Sequence, residues 1–188
     1  MPKAFLAATL CAAAFAVSAE PATFAIDPDH TIVTFEALHM GTSTQRGRLQ
    51  AKEGTVTLDR AAKTGKADIA IDLASASTAT ASLQAFLRGE RMFNVAVNPV
   101  ARFVADTFTF EGDKLASLAG TLTLNGKTQP VTLKATRFNC YENAQLKREV
   151  CGGDFSGTIR RSQYGLGALP QVTPDEIPLD IQVEGIRQ

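Results

Sequence analysis

The sequence contains no tryptophan, two tyrosines and two histidines among its 188 residues. Histidine is the most frequent general acid or base near neutral pH, so this scarcity argues against catalysis that needs several histidines. Lysine and arginine number 19, as do aspartate and glutamate, which leaves no net charge. A nucleic-acid-binding protein usually carries a basic surplus, and the chain has no run of like charges. The composition therefore argues against nucleic acid as a partner.

Motifs that would indicate an enzyme or a metal site are also missing. The chain has no G-x-S-x-G, no H-E-x-x-H, no C-x-x-C and no glycine-rich phosphate loop. His30 follows Asp27 by three residues, and this pair can be an Asp–His dyad or a polar tie within a turn, of which we favour the tie. His39 stands alone at a strand end. We therefore predict no catalytic residues, no metal site and no enzyme activity.

Residues 1–19 have the order of features that is typical of a secretory signal peptide. Lys3 precedes a stretch over residues 4–16 that is apolar apart from one threonine and too short to span a bilayer. We expect cleavage after Ala19, export to the periplasm and a single mature domain over residues 20–188. No later segment is apolar enough to span a bilayer, so we expect no stable membrane insertion.

Loss of the signal peptide would leave two of the three cysteines, Cys140 and Cys151. In an oxidising compartment an even pair most simply forms one disulfide. A shared metal ion is the alternative, but the only histidines, His30 and His39, lie far away in sequence. We predict a structural Cys140–Cys151 disulfide that joins the ends of a long hairpin loop.

The rest of the chain alternates apolar and polar residues with the period of half-buried β-strands. Asn125-Gly126 separates two such segments, and this dipeptide favours a tight hairpin turn because both residues tolerate positive φ. Along residues 100–110, the pattern places Val104 on one face with Phe108 and Phe110. The predicted strands are 31–38, 54–59, 67–73, 100–110, 120–124, 128–138, 153–161 and 177–186.

Residues 75–93 instead predict one short helix. Leu83, Phe86 and Leu87 fall on one helical face, with Thr80 or Ser82 as the cap and Gly89 as the end. Short turns between strands favour a closed barrel over a sandwich. We therefore predict an all-β fold, a lipocalin-like eight-stranded antiparallel barrel with one short helix. The interior of such a barrel is either packed solid or holds one small ligand.

Arg160 and Arg161 are adjacent at the end of a predicted strand. Neighbouring residues of a strand point to opposite faces, so the two cannot form a single anion clamp. Whichever of them points inward needs a partner for its charge.

Five motifs follow one another along the chain. They are Asp27-Pro-Asp-His-Thr31, Gly47-Arg-Leu49, Phe93 with Asn98-Pro99 and Phe103, Gly120-Thr-Leu-Thr-Leu-Asn-Gly-Lys-Thr-Gln-Pro-Val-Thr-Leu133, and Arg161-Ser-Gln-Tyr-Gly165. In this order they resemble the YceI-like family, which is described as periplasmic lipid or polyisoprenoid binders. The resemblance covers essentially all of residues 20–188, and Leu49 stands where the family more often has phenylalanine.

The resemblance implies a barrel whose bore holds the tail of an amphipathic lipid, such as an isoprenoid quinone or a fatty amide. No other cofactor is expected, and family analogy allows a homodimer. Phenylalanine, present eleven times, can line such a bore without needing hydrogen-bond partners. A solid core is the alternative role for the same side chains. The candidate lining residues are Phe35, Leu38, Met40, Phe86, Met92, Phe103, Phe108, Phe155 and Tyr164.

We therefore expect a periplasmic binding or carrier protein for a long-chain amphipathic lipid. The alternatives are an accessory to quinone-linked electron transfer and a stress-response interaction module with a dry interior. A cavity below about 300 Å³ would favour the dry module over a ligand site.

Overall fold

A computed structural model describes residues 20–188, which form one continuous β-sheet with a short helix. The predicted signal peptide, residues 1–19, lies outside the described residues. Within them, no helix is both long enough and apolar enough to cross a bilayer. The elements are β1 (Ala22–Ile26), β2 (Ile32–His39), β3 (Ser43–Asp59), β4 (Thr64–Thr78), α1 (Ala81–Arg88), β5 (Val100–Glu111), β6 (Lys114–Leu124), β7 (Lys127–Asn143), β8 (Arg148–Arg160), a 3₁₀ turn (Arg161–Tyr164) and β9 (Glu176–Arg187).

The sheet closes on itself as an eight-stranded antiparallel barrel, as the sequence predicts. From β3 to β9 each strand pairs with the next one along the chain. β1 and β2 together fill the position between β3 and β9, with β1 on the last part of β3 and β2 on its first part. The two short strands thus act as one interrupted barrel strand. Alternate residues point inward, and their apolar side chains form the core.

The interruption, residues 27–31, is held by a small polar network. The carboxylate of Asp27 accepts a hydrogen bond from the backbone N–H of Asp29 at 3.0 Å and contacts Nδ1 of His30 at 2.7 Å. The buried hydroxyl of Thr31 donates to the carbonyl of Glu184 at 3.2 Å and accepts from its N–H at 3.2 Å. This geometry supports the interpretation of His30 as a tie within a turn.

The Asp27–His30 pair should make stability weakly dependent on pH. The hydrogen bond from His30 lowers the pKa of Asp27, and the same bond raises the pKa of His30. The Asp27 contribution is complete above the ordinary carboxyl pKa of 3.8 and is lost as the pH falls through the lowered folded pKa. The His30 contribution is complete below 6.5 and is lost as the pH rises through the raised folded pKa.

We therefore expect Asp27→Asn to remove a contribution to the free energy of unfolding that is largest between pH 3.8 and pH 6.5, the two ordinary pKa values. The His30 side chain is 62% exposed, so solvent screening limits the effect to a few tenths of a kcal/mol. Urea unfolding of both proteins across pH 3 to 8 measures it, with Asp29→Asn as the control. Parallel stability profiles for Asp27→Asn and the unaltered protein would contradict this assignment.

The helix and the predicted hairpin turn are both present. α1 begins after Thr80, whose hydroxyl accepts a hydrogen bond from the N–H of Leu83 at 3.4 Å, and it ends at Gly89. Asn125 and Gly126 have φ values of 51° and 71°. The cap, the helix end and the turn chemistry are therefore confirmed.

The facing of β5 differs from the prediction. Phe103 and Ala105 point inward, whereas Val104 is 42% exposed on the outer face. A register shift between Ala105 and Thr107 reverses the alternation, and beyond it Phe108 and Phe110 pack against the core. The placement of Val104 on the same face as Phe108 and Phe110 is therefore wrong.

The predicted disulfide between Cys140 and Cys151 is present. The two residues lie directly opposite each other on β7 and β8, and the strands continue to pair as far as Asn143 and Arg148. The bond therefore links two paired strands instead of closing a long open loop. Glu149 lies near both sulfurs, but the sulfurs are bonded to each other and its carboxylate pairs with Arg60 and Arg187 at 2.7 and 3.3 Å. This arrangement does not present free thiolates to a metal ion.

Reduction of this disulfide should lower the free energy of unfolding by about 2.5–3 kcal/mol, because the unfolded chain regains the freedom of a short closed loop. Urea unfolding with and without a reductant measures the difference. A Cys140→Ala/Cys151→Ala variant serves as the control, since its stability should not respond to reductant. An unaltered protein that is equally insensitive would contradict the prediction.

Candidate ligand-binding cavity

The barrel encloses an apolar cavity of about 450 Å³. Every strand position contributes inward side chains to its wall, and β4 contributes the regular series Ala67, Ile69, Ile71 and Leu73. A cavity below about 300 Å³ would favour a dry interior, and this volume is larger. It lies within the range of small-molecule sites. The interior therefore has room for a ligand.

The two ends of the cavity differ. At one end the wall includes Phe24, Leu58 and Cys151, which are buried, together with Phe108 and Phe138, which are half-buried. At the other end it includes exposed residues, among them His39 and Arg46. The second end, which we call the mouth, is surrounded by the β2–β3 turn, α1 and the segment that joins the 3₁₀ turn to β9. A ligand can thus present its polar group at the mouth while an apolar tail fills the bore.

Two glycines make room for phenylalanine rings on the wall. The ring of Phe35 lies over Gly47, its cross-strand partner, and the ring of Phe108 lies over Gly65. A side chain at either glycine would collide with the ring beside it. The missing side chain at each glycine therefore lets the neighbouring ring lie close to the strand.

Six of the predicted lining residues are on the cavity wall, and their contact with a ligand stays a prediction. They come from three strands (β2, β5 and β8), from α1 and from the segment after it. Two further wall residues from the mouth, Leu169 and Val172, belong to a segment without periodic pattern, which gave no sequence signal. The six are Phe35, Phe86, Met92, Phe103, Phe108 and Phe155.

The other three predicted lining residues do not lie on the wall. Leu38 and Met40 are 40% and 60% exposed, because the inward face of β2 carries Phe35 and Ala37 and the chain then turns at Met40. Tyr164 is buried in the 3₁₀ turn beyond the end of β8, where burial raises the pKa of its phenol. Its carbonyl accepts a hydrogen bond from the side-chain amide of Asn125 at 3.2 Å. Tyr164 thus supports the turn next to the cavity.

Arg161 is the buried charge beside the mouth, with 5% of its surface exposed. Its Nε donates to the carbonyl of Pro174 at 2.9 Å, and Nη2 donates to that of Thr173 at 2.7 Å. Its Nη1 donates to the carbonyls of Leu166 and Ala168. One guanidinium thus binds four carbonyls of the mouth loop, residues 165–175, which carries Leu169 and Val172 to the cavity wall.

Arg160 points to the opposite side, where it pairs with Glu176 at 3.2 Å in an exposed position. The two arginines therefore face apart, as the strand pattern predicts. Asp175 anchors the far end of the mouth loop, since its carboxylate accepts hydrogen bonds from the N–H and the hydroxyl of Ser162 at 2.8 and 2.9 Å. These bonds lower the pKa of Asp175 and keep it charged.

A closed antiparallel barrel with an apolar, ligand-sized bore open at one end belongs to the class of small barrels that can hold a ligand. The chain belongs to the YceI-like family, because the YceI-like domain matches residues 24–185. It is 32% identical over 192 residues to Protein YceI of Salmonella arizonae, and the match covers 100% of both chains.

Two solved structures share the barrel fold. Burkholderia cenocepacia BcnA superposes with a TM-score of 0.68 at 22% identity, covering 85% of this chain and 98% of that one. A polyisoprenoid binding domain from Saccharophagus degradans, implicated in plant cell wall breakdown, gives a TM-score of 0.62 at 16% identity, with 90% and 100% coverage. These similarities show the shared architecture of the barrel.

Proposed function

We propose that this protein is a binding or carrier protein that holds the tail of a long-chain amphipathic lipid in the barrel. The observation that carries this proposal is the apolar cavity of about 450 Å³, whose wall includes exposed residues at the mouth. Membership of the YceI-like family and the similar fold of a domain described as polyisoprenoid binding support an isoprenoid tail. The work of such a protein is binding, and catalysis is not required of it.

The bore binds a lipid tail by removing its apolar surface from water, and it discriminates little between tails of similar size. Each CH₂ group that leaves water contributes about 0.8 kcal/mol, so a few isoprene units suffice for tight binding. The wall is almost entirely apolar, whereas the mouth offers polar side chains such as Gln45 and Thr173 to a head group. An isoprenoid quinone and a fatty amide both combine a tail for the bore with a polar group for the mouth.

We further propose that the protein works in the periplasm. The Cys140–Cys151 disulfide is of the kind that persists in an oxidising compartment. The features of residues 1–19 support export. A carrier in an aqueous compartment would shield the tail from water between membranes.

Organic extraction of freshly purified protein followed by mass spectrometry tests the proposal. We expect a long-chain apolar molecule in about equimolar amount, and a higher midpoint of thermal unfolding when an isoprenoid quinone is added. Protein that is always recovered empty, with no thermal response to quinones or fatty amides, would refute it.

A further inference from the structure

Two loops at the mouth present apolar side chains to solvent and carry no charge. Residues 37–45 and 165–174 contain no aspartate, glutamate, lysine or arginine, although these make up 20% of the chain. The loops contact each other, since the N–H of Met40 donates to the carbonyl of Val172 at 2.8 Å. Met40 is 60% exposed and Leu169 is 37% exposed. Together with Leu38 they form what we call the mouth rim.

The backbone at the mouth rim holds these side chains in an unfavourable conformation. Met40 and Leu169 have φ values of 54° and 55°, in the left-handed region that glycine and asparagine adopt at lower cost. A large apolar side chain at such a position has two energetic costs, the strained backbone conformation and the exposure of apolar surface to water. Outliers of this kind cluster at functional sites.

The mouth rim is continuous with the cavity wall. Leu169 is exposed at the rim and also lines the cavity. Val172, three residues later, is half-buried and lines the cavity too. A lipid tail that enters or leaves the bore at the mouth passes beside this edge. If the edge lies against a bilayer, the tail moves between two apolar surroundings without crossing water.

We propose that the mouth rim docks on the surface of a lipid bilayer and that the ligand is exchanged there. This inference rests on the proposed function. The rim is a few side chains wide, whereas a stable protein interface needs about 800 Å² from each partner. Shallow insertion into a membrane interface depends on buried apolar area and tolerates a small contact. A bilayer is therefore the occupant that this surface fits.

The charges beside the mouth rim lie outside its two loops. Arg46 follows the first loop directly and pairs with Glu36 at 2.6 Å, and the ammonium of Lys127 lies beside Gly165 of the second loop. Because the side chains that insert are themselves uncharged, docking should need no anionic lipid and should depend little on salt. The relevant probe is therefore a vesicle of pure phosphatidylcholine.

Flotation with phosphatidylcholine vesicles tests the docking directly. We expect Met40→Asn/Leu169→Asn to reduce the vesicle-bound fraction about tenfold, because it removes the exposed apolar area that inserts. Asparagine accepts the positive φ at both positions, which offsets part of the packing that the Leu169 side chain loses on the cavity wall, so the variant should remain folded, and its thermal unfolding checks this. The matched control is Tyr141→Asn/Leu146→Asn at the opposite end of the barrel, where both residues are 47–48% exposed. The control should float like the unaltered protein.

Equal loss of flotation in both variants, or flotation that disappears between 50 and 300 mM salt, would overturn the docking surface. A concentration-dependent dimer that only the rim variant breaks, seen by light scattering, would assign the rim to a second copy and would also overturn it. The assay contains no added ligand, so it is independent of the extraction experiment. An empty protein that still floats would refute the carrier function alone, whereas a lipid-loaded protein that does not float would refute the docking alone.

Discussion

Replacing Arg161 with methionine is expected to lower the free energy of unfolding by about 3–5 kcal/mol, because the substitution leaves several buried or half-buried carbonyls without a donor. The guanidinium donates to four backbone carbonyls. Methionine keeps much of the length and apolar volume but donates to none of them. Each carbonyl left buried and unpaired costs about 1–3 kcal/mol, and partial access of water to the loop offsets part of the sum.

The neighbouring Arg160 provides the matched control. Its ion pair with Glu176 is exposed on both sides, so Arg160→Met should cost less than about 1 kcal/mol. Arg161→Lys should recover little, because an ammonium group cannot reproduce the spread of a planar guanidinium. Urea unfolding compares the three variants. Equal stability of Arg160→Met and Arg161→Met would show that the four bonds do not hold the loop.

The two ends of the molecule differ in how much the sequence reveals about them. Along β4 the alternation of Ala67, Ile69, Ile71 and Leu73 is clean, and each of these residues is buried. The strand predicted over residues 67–73 is therefore confirmed. The first part of β3 was missed. Its inward residues include Gly47 and Ala51, which are too small to produce a clear apolar pattern.

In β5 and β2, the residues that point into the barrel differ from those predicted. The register shift after Ala105 reverses the alternation of inward and outward residues in β5. No residue type at this position indicates such a shift. Leu38 is a different case, because Phe35 and Ala37 point inward and the period of a strand then puts Leu38 on the outer face. The prediction that Leu38 lines the bore is not consistent with this period.

The mouth could not be predicted because long-range contacts build it. Residues 165–175 have no periodic pattern, and their position depends on the guanidinium of Arg161 and on the carboxylate of Asp175. The sequence did predict that one of the two adjacent arginines faces inward and needs a partner. That its partners are carbonyls, and that they belong to the wall of a cavity, follows only from the folded chain.

Filling the bore should weaken ligand binding more than any surface change. Ala101 is 4% exposed and lies on the cavity wall in β5, close to the mouth. A phenylalanine there would occupy space for about one isoprene unit. At about 0.8 kcal/mol for each buried carbon, the loss is about 3–4 kcal/mol, or roughly 100- to 1,000-fold in Kd. Titration with an isoprenoid quinone of fixed tail length measures the change.

Ala70→Phe is the control for this substitution, because Ala70 lies on the outer face of β4 opposite Arg102. It adds the same ring to the neighbouring strand without entering the bore, so the affinity should stay within about twofold. Both variants should remain folded, since the new ring in Ala101→Phe fills empty space and the one in Ala70→Phe meets solvent. Unchanged affinity in Ala101→Phe would show that the ligand is not in the barrel.

A second substitution, deeper in the bore, tests the direction in which the tail lies. Ala67 also lines the cavity, but it lies near the start of β4 and therefore close to the closed end. If the tail enters at the mouth and extends inward, Ala67→Phe should weaken long tails and spare short ones, whereas Ala101→Phe should weaken both. The opposite order would mean that the tail enters from the other end. An equal response to every tail length would mean that the tail does not lie along the bore.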